Sequence, residues 1–189
     1  MIALEINQIK KFMYDLLLTD AFDSFRVLEV SIVTFAEFHI DGTLHPEFYG
    51  DVTKSAEAED RPDGSSPVPD GKDEGTEKPS EDAAGGGETL VPWKSLREHC
   101  LALIRGKRTP VSFQIIFQLP KSDIAALIQK SGASLSEEEV HSLSLNCLYR
   151  DGRLQITTGS SLAVFIGGRT LEQAWEESVK EFFRKLGLD

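Results

Sequence analysis

His39, Asp41, His45 and Glu47 form the densest group of possible metal ligands in the chain. Imidazole nitrogens and carboxylate oxygens are common ligands of zinc. On an extended strand, His39 and Asp41 project to the face opposite Phe38 and Ile40, so both can point at one ion. His45 and Glu47 follow the Asp41-Gly42 pair. The spacing matches no motif such as HExxH, and polar residues are expected on the solvent face of a hairpin without any site. The four therefore stand as candidates, and no metal, cofactor or catalytic residue is assigned.

Arg105, Lys107 and Arg108 form the second cluster. Three cations in four positions can hold a phosphate, a nucleic-acid backbone or an acidic partner. Cations that follow a helix also interact favourably with its C-terminal dipole, by about 0.3–1 kcal/mol each, with no ligand involved. Gly106-Lys107-Arg108-Thr109 is not a phosphate-binding P-loop, because the preceding glycine is missing and a strand follows where a helix is required. Gly167-Gly168-Arg169-Thr170 leads into a helix and could offer backbone N–H groups to an anion, with Arg169 assisting, but it reads as a tight turn plus an N-cap. Thr157-Thr158-Gly159-Ser160-Ser161 lacks the GxSxG elbow of a nucleophilic serine and reads as a turn. No local pattern links His99 or His141 to it. Cys100 and Cys147 sit in apolar-patterned segments and read as buried reduced thiols. Trp93 and Trp175 lie on apolar helix faces and read as core.

The elements that carry these residues follow from periodicity. Ile2, Leu4 and Ile6 alternate as a short strand. Asn7 is placed to cap a helix whose apolar face is Ile9, Phe12, Met13, Leu16 and Leu17. Residues 25–34 read as a strand with Leu28, Val30 and Ile32 on one face, and Phe38 and Ile40 continue the alternation. The hairpin turn falls at Phe35-Ala36 or at Asp41-Gly42. Pro92 opens a helix through Trp93, Leu96, Cys100, Leu103 and Ile104 that ends at Gly106. Val111, Phe113, Ile115, Phe117 and Leu119 alternate strictly. Ser122 is placed to cap a helix ending near Gly132. Ser136 and Glu139 form a capping box with Leu135 and Val140 as its staple. Strands follow at residues 143–149, 154–158 and 162–166, with Asp151-Gly152 as a hairpin turn. Thr170 and Gln173 open a last helix through Leu171, Ala174, Trp175, Val179, Phe182, Phe183 and Leu186.

Residues 51–88 break this pattern. They hold 12 acidic and 4 basic residues, a net −8 of the chain's −11, so the remainder carries only −3. With four Pro, six Gly and no aliphatic residue beyond two Val and four Ala, the segment cannot bury enough apolar surface to offset the entropy of ordering it. It reads as a disordered acidic insertion between residues 1–50 and 89–189, the two halves of one α+β domain. The sheet is expected to be mainly antiparallel, built from a duplicated strand–helix–strand–strand unit with two additional helices.

The opening Met1-Ile2-Ala3-Leu4, the Ile40-Asp41-Gly42 turn, Arg105-Gly106-Lys107-Arg108-Thr109-Pro110 and Phe182-Phe183-Arg184-Lys185 carry a resemblance. Through them the chain resembles an uncharacterised domain-of-unknown-function family of short proteins from anaerobic Gram-positive bacteria. That resemblance implies no activity. A second one is architectural. Residues 145–162 are similar to the strand–turn–strand–turn–strand portion of a DNA sliding-clamp half-domain, which implies a clamp-like sheet. The helices at residues 92–104 and 170–186 have no place in the clamp pattern.

The N-terminus lacks a basic start and apolar run, and no segment reaches the ~20 apolar residues of a membrane span, so a cytoplasmic protein without membrane contact is expected. No catalytic constellation emerges. The sequence reads as a non-enzymatic binding or regulatory module for a protein or nucleic-acid partner, with Arg105, Lys107 and Arg108 as its contact residues. The alternative is a small metal-dependent hydrolase-like enzyme using His39, Asp41, His45 and Glu47.

Overall fold

The structure, a computed structural model, describes residues 1–49, 89–106, 108–163 and 169–188. The disorder reading of residues 51–88, most of the strand expected at 162–166, Lys107, Gly167 and Gly168 lie outside the described residues. The elements run β1 (Ala3–Ile6), α1 (Ile9–Leu18), β2 (Arg26–Val33), β3 (Glu37–Asp41), a 3-10 turn (Pro46–Tyr49), α2 (Trp93–Ile104), β4 (Ser112–Gln118), α3 (Lys121–Ser131), a second 3-10 turn (Glu137–Glu139), β5 (Val140–Arg150), β6 (Arg153–Leu162) and α4 (Thr170–Lys185). The fold is α+β, as expected. Its sheet has six antiparallel strands in the order β1-β6-β5-β4-β2-β3.

Strict alternation gives this sheet one apolar face. Val30, Ile115, Cys147 and Ile156 are register partners on four adjacent strands, and all four are buried. Val27, Phe117, Leu145 and Thr158 form the next row. A layer of aromatic rings joins this face to the helices. Phe22 meets Phe12 of α1, Phe117 of β4 and Phe182 of α4 at centroid distances of 5.7, 5.7 and 5.1 Å. Trp93 of α2 sits edge-on to Phe117 at 5.2 Å and donates its indole N–H to the Leu16 carbonyl at 2.8 Å. Trp175 of α4 likewise donates to the Ser144 carbonyl at 3.2 Å. Both tryptophans are core residues, each with its one donor satisfied.

Both halves run strand–helix–strand–strand, as the duplication predicts, but the sheet does not treat them alike. β4, β5 and β6 lie side by side, whereas β1 is separated from β2 and β3 by that whole set. Only the pairing of β1 with β6, about 150 residues away in the chain, decides this, and no local pattern encodes it.

Several local expectations need correction. Leu28 does not share a face with Val30 and Ile32. Val27 pairs with Phe117 and Glu29 with Ile116, so Leu28 is the extra residue of a β-bulge and turns out to solvent. Val27 takes its place in the core. Asn7 does not cap α1, since Gln8 occupies the cap position without a side-chain bond. Ser122 does not cap α3, where Pro120 stands before the first turn. The Ser136–Glu139 capping box forms, but it closes a 3-10 turn that runs straight into β5. The strands expected at 154–158 and 162–166 are not separated by a turn at 159–161. β6 is continuous through Gly159, which pairs with Ser144 of the eleven-residue β5. A Cβ there would stand 2.5 Å from Ser144 Oγ, so the glycine permits close pairing and does not mark a turn. The second turn implied by the clamp resemblance is therefore absent from these residues.

The hairpin register is also settled. Val33 pairs with Glu37, and Thr34 donates its N–H to the Ala36 carbonyl at 2.9 Å, so the turn is at Phe35. Gly42 has another task. Its N–H bonds to Leu28, its carbonyl accepts from Val91, and a Cβ on it would lie 1.9 Å from the Val27 carbonyl oxygen. The chain on either side of residues 50–88 is tied at this point, where Thr43 bridges Leu90 and Leu44 bonds to Thr89 at 2.8 Å.

Candidate partner-binding groove

The β2–β3 turn carries Phe35 out of the fold, 93% exposed, with its ring edge-on to Phe38 at 5.7 Å. Val111, just ahead of β4, is 65% exposed while its N–H bonds to the Val33 carbonyl at 2.8 Å. Between these two segments lies the last turn of α2, with Leu103 and Ile104 half-buried. Together they line an open groove of about 780 Å³. Turn tips usually carry Gly, Asn, Asp or Ser. A phenylalanine there, held in water, forgoes roughly 1.5–3 kcal/mol of burial.

Arg105 and Arg108 line the same groove, and no acidic side chain among the described residues does. Arg105 ends α2, its N–H bonded to Leu101 at 2.7 Å. A guanidinium stays charged at any accessible pH and offers a fork of donors to a carboxylate or phosphate. Thr34 also lines the groove, and its Oγ1 is enclosed without a hydrogen-bond partner. Buried hydroxyls are seldom left so. Two of the three residues of the basic cluster are thus brought against an apolar surface that sequence reasoning missed. It placed Val111 on the core side of its strand and read Phe35 only as a turn residue. The available signal was a bulky aromatic at the position where the turn had to fall.

The possible metal ligands are divided into separate pairs. His39 and Asp41 do face outward from β3, as alternation predicts. His39 Nδ1 lies 3.6 Å from Glu29, however, while Asp41 Oδ1 accepts from the N–H and hydroxyl of Thr43 at 2.8 and 2.7 Å. Those two bonds hold the Asp41 carboxyl below its usual range. His45 pairs with Glu47 at 2.9 Å, and the backbone N–H of Glu47, then His45, lowers that carboxyl as well. Among the described residues, no three His, Cys, Asp or Glu side chains converge on one point.

A family model matches residues 15–64 and 71–189. The chain belongs to DUF5721. DUF5721 is a family of unknown function, and the groove lies wholly within the matched residues. No curated protein and no solved structure matches the chain.

Arg169 and the serine stretch are engaged elsewhere. Arg169, considered as an anion ligand, donates to Glu172 at 2.8 Å and to Glu176 at 3.3 Å. Ser160 donates to Glu172 at 3.1 Å, so the serine stretch serves this cluster. Arg169 in turn holds Glu172 below the usual carboxylate range. Burial pushes the Cys100 thiol up to about 12 and Cys147 higher still, which keeps both as inert thiols. No helix among the described residues is long and apolar enough to cross a membrane.

Proposed function

We propose that this DUF5721 chain is a non-enzymatic binding module, and that its groove takes a segment of a protein partner carrying an apolar side chain beside carboxylates. The observation that carries the reading is Phe35, almost fully exposed over an apolar groove whose only charged lining residues among the described ones are Arg105 and Arg108. Exposed aromatics and arginines are the side chains that most often dominate binding energy at interfaces. The lining also argues for binding over turnover. Among the described residues its ionisable groups are guanidiniums, which neither accept nor deliver a proton, so none of those residues is a base that could activate Thr34 or Thr109. The positive, acid-free lining selects carboxylates by charge.

The clamp-like resemblance makes nucleic acid the competing partner, since cations suit phosphates equally well. An apolar groove with an exposed phenylalanine favours the protein segment. The test is selection of binders to the full chain from a displayed random-peptide library, followed by titration of the best peptide and of duplex DNA. The reading expects an acidic-flanked apolar peptide whose affinity falls on Phe35→Ala and on Arg105→Glu. Peptides indifferent to both substitutions would contradict it. Salt-sensitive, saturable binding of the duplex that needs Arg105 and Arg108 would replace it with the nucleic-acid reading.

A further inference from the structure

The groove opens at one edge of the sheet, and the geometry points to recognition by strand addition: the partner segment pairs with the free edge of β3 as a seventh strand. This rests on the groove reading above and specifies how the segment is held.

Three observations support it. First, β3 ends the sheet, and no second neighbour lies beside it among the described residues. The bonds from Gly42 to Leu28 and from Thr34 to Ala36 set the phase of its ladder with β2. In antiparallel pairing, hydrogen-bonded residues alternate, so the backbones of Phe38 and Ile40 are committed to Ile32 and Val30. Those of Glu37, His39 and Asp41 face the open edge. Second, the apolar rows of the inner face run out at β3 without cover. Val30 and Ile32 are fully buried, yet their partners Ile40 and Phe38 are only half-buried. A seventh strand would lay its own inward side chains beside these two, as cross-strand neighbours do throughout the sheet. Third, Phe38 of the edge strand lines the groove together with Phe35, Arg105 and Arg108. An added strand that places one apolar residue opposite Phe38 can set a carboxylate against those cations.

Edges not meant to pair are commonly protected by short length, charged side chains, lysine above all, proline or a bulge within the strand. Of these, β3 has its five-residue length and the carboxylates of Glu37 and Asp41. The five residues Glu-Phe-His-Ile-Asp of β3 contain neither lysine nor proline, and their pairing with β2 is unbroken. The partner is thus an extended segment with apolar residues at alternate positions and acidic residues at the end that meets Arg105 and Arg108.

The test uses the full chain and the tightest peptide from the library selection. Each backbone N–H of that peptide is methylated in turn and its affinity measured. Strand addition expects losses of about tenfold or more at every second position and little change between them, because only alternate N–H groups face β3. It also expects slowed amide exchange at His39 in the complex. His39→Pro removes an N–H that the fold does not use and should abolish binding. Circular dichroism and the unfolding midpoint establish whether that variant folds, and the methylation series is independent of it. If every methylation is tolerated while Phe35→Ala still weakens binding about thirtyfold, the groove reading stands and strand addition is wrong. If neither the methylations nor Phe35→Ala matter, both are wrong.

Discussion

The two edges of the sheet are finished in opposite ways. At β1, Ile6 is buried, Ile2 accepts from the Thr158 N–H and donates its own N–H to the Thr158 hydroxyl at 3.0 Å, and Thr158 is itself buried. Leu4 and Ile6 of β1 share a small pocket with Phe183 of α4 and with Leu188 of the turn after it. Leu188 is fully enclosed, Gln8 bonds to Gly187 at 3.1 Å, and Lys11 bonds to Leu186 as well as to Asp15. At β3 no residue of the strand is buried, and the hairpin tip presents Phe35 to solvent. The last helix packs near one edge, while the other is left with apolar side chains and arginines. The difference shows where the fold spends its burial and where it leaves surface for something else.

The phenylalanines give the largest contrast. Phe22, packed among five other rings, should cost about 3–5 kcal/mol when truncated to Ala. Phe35→Ala should stay within about 0.5 kcal/mol of the parent in the same denaturant titration. A cost at Phe35 comparable to that at Phe22 would mean that the tip is part of the core. The next effect belongs to Gly42, which fastens the β3 side to residues 89–93. Gly42→Ala drives a methyl into the Val27 carbonyl, so a loss of about 1–3 kcal/mol is expected, with the backbone forced to shift.

A smaller effect separates stability from binding within the groove. Thr34→Val deletes an enclosed hydroxyl that has no hydrogen-bond partner among the described residues. It should leave stability unchanged or raise it by up to about 1 kcal/mol, and weaken peptide binding if that hydroxyl serves the partner. A clear loss of stability would show that the hydroxyl is satisfied in solution. The smallest effect lies near the closed edge. Glu172 is held below its usual range by Arg169, so it contributes stability above its unfolded value, near 4.5, that is lost as pH falls through the lower folded value. Glu172→Gln should remove under about 1 kcal/mol at neutral pH and flatten the acid limb of stability against pH.

Much of the closed region was legible in the sequence. Phe113, Ile115 and Phe117 alternate as they do in β4, the apolar faces of α1 and α4 are the buried ones, and Asp151-Gly152 forms its hairpin with positive φ at both residues. These are local signals, each read within one element. The open region was not legible, because its groove joins residues near 35, 104 and 111, and only the packing of α2 over the β2–β3 hairpin brings them together. The bulge at Leu28 was hidden for a related reason. A leucine among alternating apolar residues reads as core, and only its pairing with β4 shows it to be extra. Arg105 and Arg108 were identifiable as a cluster, but the apolar wall that gives them a partner class was not.

The most direct test of the central claim compares two exposed apolar residues on one protein. Leu18 of α1 is 57% exposed and lies outside the groove, whereas Phe35 stands over it. The dissociation constant of the selected peptide should be measured for the parent chain, Leu18→Ala and Phe35→Ala. The account predicts no change for Leu18→Ala and a loss of about thirtyfold for Phe35→Ala, the scale of an interface hot spot. Equal effects at the two positions, or none at Phe35, would contradict it.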